Sequence, residues 1–435
     1  MYRNAIEKLK LWKEDIERKP LILKGARQVG KTYLLKEFAK NYYKNFVYIN
    51  FDTEEQIKDI FKKSKDPQRI ITELSLVKDL KIEPKHTLII FDEVQECPEA
   101  LNSLKYFYEE ANQYHITAAG SLLGTLLAKP KSYPVGMVDI LHVYPLTFDE
   151  FLRASDESLF KYYSMISVND DIIEIMHQKL LDAFNQYLII GGMPQVVNSW
   201  LNTRDPIRIS NLQNTILEIY ENDFSKHNGS VNSGRILLAF RSLVPQLSKE
   251  NEKFIYGVIR QGARAREFEE AVEWIVSAGL VNRVYNVSQA QMPLKAYDIL
   301  NCFKLFSFDT GLLKQMAGIP NQAIILDEPF QFKGPLIENF VLQQLNSQFD
   351  FPPRYFADNN SEIDFLIQNQ GQIIPIEVKA GTDKSAPSFK RFIDKNNAKL
   401  GIRFSKRNLK QDGAILNVPL YLAPRLQDLL KNHLV

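Results

Sequence analysis

The run Gly25-Ala26-Arg27-Gln28-Val29-Gly30-Lys31-Thr32 has the form glycine, four residues, glycine, lysine, hydroxyl. Those types at that spacing suit a triphosphate. The glycines let the backbone curl so that successive N–H groups face phosphate oxygens, and a following helix N-terminus adds its dipole. Ala26, Arg27, Gln28 and Val29 would supply the wall of the cradle. Lys31 would reach the β- and γ-phosphates, and the Thr32 hydroxyl would take a Mg2+ ion. Further along, Leu88-Ile89-Ile90-Phe91 delivers Asp92 and Glu93 to the end of an apolar run. Two acids at the end of a buried strand need partners, and a cation held against phosphates provides one. Asp92 would then organise the metal, and Glu93 would polarise the attacking water as general base. The same pair also fits ordinary strand-end acids that cap the next helix. Beside the phosphate-binding run, the adjacent glutamate favours hydrolysis over small-molecule phosphorylation. Gly120-Ser121 follows another apolar run, where Ser121 either senses the γ-phosphate or caps a helix starting at Leu122.

A second set lies near the C-terminus. In Glu362-Ile363-Asp364 and Glu377-Val378-Lys379, alternate residues share a face, because strand side chains have a period of two. If the two strands pair as a hairpin around Asn369-Gln370-Gly371, Asp364 meets Glu377 and Lys379. Two carboxylates can hold Mg2+, and a lysine beside them can steady or deprotonate a water, which is the machinery for cutting a phosphodiester. Glu338, on a preceding helix, could complete the metal shell. The bland alternative is a charge-balanced sheet end in which Lys379 neutralises two acids. Lys384, Lys390, Arg391 and Lys395 nearby could contact DNA phosphates, although solvated faces look much the same.

Strands and helices must position both sets. Pro20–Lys24, Phe46–Phe51, Thr87–Phe91 and Ile116–Ala119 read as strands, and helices are expected over 32–42, 67–80 and 98–112. Buried strands alternating with helices imply a parallel sheet covered on both faces. From Phe148 to about Leu201 the pattern is helical, broken by Gly191-Gly192-Met193-Pro194. Helices over 233–247, 249–258 and 264–278 then lead into a strand over 279–285, the order of a winged helix. Arg260, Arg264 and Arg266 would face DNA phosphates there, but Glu267, Glu269 and Glu270 follow at once and argue against deep groove entry. An internal packing role, or one in a homo-oligomer, is the alternative. Mixed α/β structure returns at the end, with a helix over 334–348, strands at 354–356, 362–367 and 372–379, a helix near 385–395 and two further strands.

Composition narrows the classes. The 435 residues are 45% hydrophobic and 24% charged, which excludes a disordered or collagen-like chain. Lys+Arg (54) and Asp+Glu (52) nearly cancel, so any nucleic-acid contact must come from a local patch. Cys97 and Cys302 form no CxxC pair, and the six histidines never take metal-ligand spacing, so a structural zinc site is not expected. The start has no continuous apolar core of a signal peptide, and no run is long enough to span a bilayer. The expectation is a soluble, cytoplasmic protein with no membrane partner.

Taken together, these motifs resemble AAA-like P-loop ATPases that carry a C-terminal domain of unknown function of the PD-(D/E)xK nuclease superfamily. The resemblance runs almost end to end. It includes Lys24–Thr32, Phe91-Asp92-Glu93-Val94-Gln95, Tyr144–Phe151, Gly191–Pro194, Phe308–Leu313, Ile337–Val341 and Ile376–Ala380. It implies an ATP-binding, ATP-hydrolysing domain over 1–152, a helical and winged-helix region over 153–320 and a nuclease-like α/β domain over 321–435. It also implies ATP and Mg2+ as cofactors, with DNA as a candidate partner. Glu338, Asp364, Glu377 and Lys379 match the nuclease pattern position by position. Two departures bear on turnover: Ala119 replaces a family threonine before Gly120-Ser121, and Gly136-Met137 stands where the family has Gly-Arg. An arginine there would stabilise transition-state charge, and Arg27 or an arginine of another protomer would have to compensate. Two functions follow: an ATPase whose nucleotide state controls the nuclease-like domain, or a nucleotide-gated scaffold with little turnover and an inert nuclease fold.

Overall fold

Five short strands form one parallel sheet. The computed structural model describes residues 1–120, 136–227, 229–249, 252–358, 361–382 and 387–433. Its first unit spans Met1–Pro145 together with Ser277–Leu280. Its elements are α1 (Ala5–Glu14), β1 (Leu21–Lys24), α2 (Lys31–Tyr42), β2 (Asn45–Asn50), α3 (Lys58–Lys63), α4 (Pro67–Val77), β3 (Thr87–Asp92), α5 (Pro98–Glu110), β4 (His115–Ala119) and β5 (Asp139–His142). The strands run parallel in the order β2-β3-β4-β1-β5. Every residue of β3 is buried, as a strand covered on both faces must be. In α2 the buried face is Leu34, Leu35, Phe38 and Ala39, the stripe its spacing predicts. Each fully buried Leu or Phe contributes about 1.5–3 kcal/mol, so this stripe fixes the helix behind the phosphate-binding run.

The second unit spans Leu146–Val276 and Val281–Val435. Helices Phe148–Ser155, Glu157–Met165, Glu174–Ile190, Pro194–Thr203, Pro206–His227 and Gly229–Arg241 come first, then Leu243–Leu247, Tyr256–Ile259 and Ala265–Ser277. A hairpin follows, β6 (Val281–Val287) and β7 (Asp298–Ser307). The helix Lys333–Gln348 precedes β8 (Arg354–Ala357), β9 (Glu362–Asn369) and β10 (Gln372–Val378). The helix Pro387–Lys395 crosses over to β11 (Gly401–Ser405), and β12 (Lys410–Asp412) and β13 (Ile415–Pro419) complete the sheet.

Eight strands form one mixed sheet in the order β12-β13-β11-β10-β9-β8-β6-β7. The hairpin that a separate winged helix would hold as its wing is therefore continuous with the C-terminal sheet. Asn286 of β6 lies opposite Tyr355 of β8, and its side-chain amide bonds both backbone groups of Ala357 at 3.0 and 3.2 Å. Packing also joins the regions that the sequence reading separates at residue 320. Phe184 of the Glu174–Ile190 helix meets Phe340 of the Lys333–Gln348 helix at 4.9 Å between ring centroids.

Several motifs of the second unit have packing reasons. Gly311 sits so close to the end of the Glu174–Ile190 helix that a Cβ there would lie 2.5 Å from Ile190 O and 2.6 Å from Gly191 N. Buried Asp309 accepts from Gly192 N at 2.7 Å and Leu312 N at 2.9 Å. Burial pushes its carboxyl up to about 6 against those donors. Thr147, in the Tyr144–Phe151 run, donates its backbone N–H to Glu150 at 3.0 Å, a helix-start contact. The Phe148 N–H donates to Gln344 at 3.0 Å, and Tyr187 links Gln343 to the Leu146 carbonyl.

Candidate nucleotide site and acidic cluster

β1 ends at Lys24, and the chain turns through Gly25–Gly30 before α2 begins at Lys31. Two residues of the turn take positive φ, Gln28 at 64° and Gly30 at 92°. The second needs glycine for its left-handed geometry. The first glycine has a different reason from the one its motif suggests: a Cβ on Gly25 would collide with the carbonyl of Val143. Ala26 and Val29 are buried, whereas Arg27 is exposed. Buried Arg3 braces the loop, donating to Val29 O at 3.0 Å and to Tyr144 O at 2.6 Å. No sequence signal marks Arg3, because its partners are distant in the chain and are backbone atoms.

Lys31 is 7% exposed. Its ammonium donates to the carbonyls of Gly25 and Ala26, each at 2.8 Å. Burial pushes its pKa down to about 8, with the fields of Glu93 and Asp92 opposing. The Thr32 hydroxyl donates to Asp92 Oδ2 at 2.8 Å, and the Tyr48 hydroxyl donates to the same oxygen at 2.8 Å. Burial first, and then the bond to Asp92, raises the Tyr48 hydroxyl to about 12. Tyr48, like Arg3, was missed in the sequence; its β2 position beside β3 places it, and only strand pairing reveals that. Glu93 follows β3 with φ 46°, a left-handed geometry that is strained for a side chain of this type. Gln95 donates to its Oε2 at 2.5 Å.

The sheet thus brings Lys31, Thr32, Asp92 and Glu93 to its carboxyl edge, where open α/β sheets bind ligands. A hydroxyl and a carboxylate at hydrogen-bond distance are the hard oxygen donors that suit Mg2+. The residues present fit that ion, and Thr32 and Asp92 are the ones that would hold it. Ser121 lies outside the described residues.

At the other site, β9 and β10 pair antiparallel with Gln372 opposite Asn369 and Ile376 opposite Phe365. That register brings Asp364 to the end of β10, where its Oδ2 accepts from Val378 N at 2.6 Å. Lys379 pairs with Glu377 at 2.5 Å. Glu338 of the Lys333–Gln348 helix joins them, and its shielded Oε2 has no hydrogen-bond partner. A further cation, absent from the sequence reading, belongs to the cluster. Lys304 of β7 lies 2.8 Å from Glu362 and 3.2 Å from Glu252, and its side chain is 3% exposed.

The electrostatics follow from burial and crowding. Burial, then the neighbouring Glu377, pushes Asp364 up to about 8, and Lys304 and Lys379 oppose the shift. Burial and the fields of Glu252 and Asp364 hold Glu338 well above the usual carboxylate range. Burial alone would lower Lys304, but Glu338, Glu252, Glu362 and Asp364 raise it above an ordinary lysine. Among the described residues, no group of three or more His, Cys, Asp or Glu side chains is placed to hold a metal ion. Glu338, Asp364 and Glu377, expected as metal ligands, have two lysines and a backbone N–H beside them.

The basic residues remain at the surface. Lys390, Arg391 and Lys395 are exposed on the Pro387–Lys395 helix, and Lys384 lies outside the described residues. Arg260 pairs with Glu267 at 3.2 Å, while Arg264 and Arg266 are exposed. Trp274 packs on Phe224 at 5.4 Å, and Phe303 stacks on Phe254 at 5.3 Å. No helix among the described residues is long and apolar enough to cross a membrane.

Three family models match parts of the chain: an AAA domain over residues 17–152, a domain of unknown function (DUF8612) over 181–323, and another (DUF4143) over 333–422. No curated protein matches. Among solved structures, the chain is similar to the Walker-type ATPase paby2304 of Pyrococcus abyssi, at 16% identity and TM-score 0.43, covering 72% of this chain and 95% of that one. It is also similar to Cdc6p from Pyrobaculum aerophilum, at 13% identity and TM-score 0.26 over 74% of this chain and 93% of that one. The Aeropyrum pernix ORC1 protein in complex with DNA is similar at 12% identity and TM-score 0.31, over 74% and 94% respectively. With the loop, the parallel sheet and the AAA match, the first unit has the fold of a P-loop NTPase.

Proposed function

We propose that the chain binds and hydrolyses ATP with Mg2+, and that its nucleotide state controls a nuclease-like second unit whose candidate partner is DNA. The observation that carries the ATPase reading is the Thr32–Asp92 contact of 2.8 Å beside the buried Lys31 ammonium. At rest Lys31 is held by two backbone carbonyls; phosphate oxygens are the better acceptors and would take over its protons. Thr32 and Asp92 would hold the metal, which when bound would supply charge neutralisation on the transferring phosphoryl group. Glu93, steadied by Gln95, accepts the proton of the attacking water. Exposed Arg27 on the loop, or an arginine from a second protomer, takes the place of the arginine missing at Met137. No guanine-reading NKxD motif is present in the sequence, which makes ATP the default nucleotide. Lys31→Ala tests the assignment: ATP binding is expected to weaken and turnover to be lost, and unchanged values for both would contradict it.

Control of the second unit is supported by how the chain enters it. The first residues beyond the ATPase unit, Leu146 and Phe148, are tied through Tyr187, Gln343 and Gln344 to the helix that carries Glu338. The order helix, three antiparallel strands, helix, strand supports the nuclease-like reading. Arg391 and Lys395 line an open cleft suited to phosphate contacts. A second reading, the scaffold with an inert nuclease fold, is favoured by the lysines that occupy the acidic cluster. Mg2+- or Mn2+-dependent DNA cleavage that disappears in Asp364→Ala would eliminate it.

A further inference from the structure

Lys304 is an unusual residue for its place. It stands in the half of β7, Phe303–Ser307, that is buried throughout, opposite Val284 of β6. An ammonium there is costly unless carboxylates surround it. The second unit surrounds it from three directions. Glu252 approaches from the segment before the Tyr256–Ile259 helix at 3.2 Å, and Glu362 from β9 at 2.8 Å. The fields of Glu338 and Asp364 also fall on it, and its Nζ lies 5.2 Å from the ring centre of Tyr355. Two of those acids, Glu338 and Asp364, are ones the nuclease-like reading assigns to a metal.

We propose that the Lys304 ammonium is the resident cation of this cluster, so that the second unit carries a latent divalent-metal site kept metal-free by a lysine of its own hairpin. The inference rests on the nuclease-like reading of that unit and takes the second of the two readings above, the inert one. A compact ammonium and a divalent ion compete for the same carboxylate oxygens. Removing the ammonium while keeping the apolar stem leaves the acids without their counter-charge, which a hard cation then supplies. Lys379 remains in place, paired with Glu377 at 2.5 Å.

The test is Mn2+ uptake by the full chain without nucleotide, read as loss of the free-ion electron paramagnetic resonance signal. The wild type is expected to bind no Mn2+ that Asp364→Asn removes. Lys304→Met is expected to gain one bound Mn2+ per chain, and adding Asp364→Asn should abolish that gain. Lys304→Arg, which keeps the charge, should behave as the wild type. The proposal is overturned if the wild type already holds Mn2+ that Asp364→Asn releases, or if a folded Lys304→Met gains none. Should Lys304→Met fail to fold, the comparison of wild type with Asp364→Asn decides alone, and equal uptake supports the proposal. Lys304→Met that binds Mn2+ yet leaves DNA uncut upholds the inference and counts against the nuclease reading.

Discussion

The Thr32 hydroxyl lies 2.8 Å from the Asp92 carboxylate although 60 residues separate them. The sheet brings this about: β1 and β3 both pair with β4, so the residues that follow β1 and those that end β3 meet at one edge. The contact makes a definite prediction. Asp92→Asn should leave nucleotide binding without metal nearly intact and abolish its tightening by Mg2+, measured by titrating a fluorescent ATP analogue with and without the ion. Equal Mg2+ enhancement in wild type and variant would contradict the role given to Asp92.

Lys31 predicts a pH dependence. Its pKa is depressed to about 8 by burial, so the free protein loses this charge as pH rises through that value. Bound phosphates favour the charged form, and affinity must fall where the free lysine is neutral. ATP affinity is therefore expected to drop between pH 7 and pH 9, and the drop should be absent in Lys31→Arg. A charged hydrogen bond contributes about 1.5–3 kcal/mol, so Lys31→Ala at pH 7 should weaken binding by about tenfold to a hundredfold.

Gln95 positions Glu93 through a 2.5 Å bond. Gln95→Ala is expected to lower kcat by about fivefold, the effect of about 1 kcal/mol, and to leave the dissociation constant for ATP unchanged. A rise in KM with kcat preserved would assign Gln95 to binding instead.

Gly311 allows two backbones to touch, since a Cβ there would lie 2.5 Å from Ile190 O. Gly311→Ala should destabilise the second unit by about 1–3 kcal/mol, the usual cost of overpacking. Denaturant unfolding is the measurement, and a midpoint equal to wild type would show that the approach is not tight.

Much of the first unit was legible because its signals are local. Gly25–Thr32 carries its chemistry within one turn, and the apolar residues before Asp92 announce a buried strand. The 3.6-residue spacing of Leu34, Leu35, Phe38 and Ala39 fixed the buried face of α2. Arg3 and Tyr48 were not legible, since their partners are reached only through strand order and loop closure. Lys304 was hidden for a related reason: in Phe303-Lys304-Leu305-Phe306 a lone lysine reads as the solvent side of a strand. Only the meeting of β7 with Glu252 and Glu362 shows it facing inward. The winged-helix expectation saw β6 but not that its hairpin continues into the C-terminal sheet, because strand partners that far apart leave no periodic trace.

The most direct test of the central claim is ATP hydrolysis by the purified chain with Mg2+, with and without double-stranded DNA, beside Glu93→Gln. A general base contributes about 10²–10⁴-fold, so the wild type should turn over ATP and Glu93→Gln should bind ATP but hydrolyse it slower by that factor. Stimulation by DNA that vanishes in the variant would tie the second unit to the cycle. Tight ATP binding without turnover by the wild type, under either condition, would contradict the ATPase account and leave the nucleotide-gated scaffold.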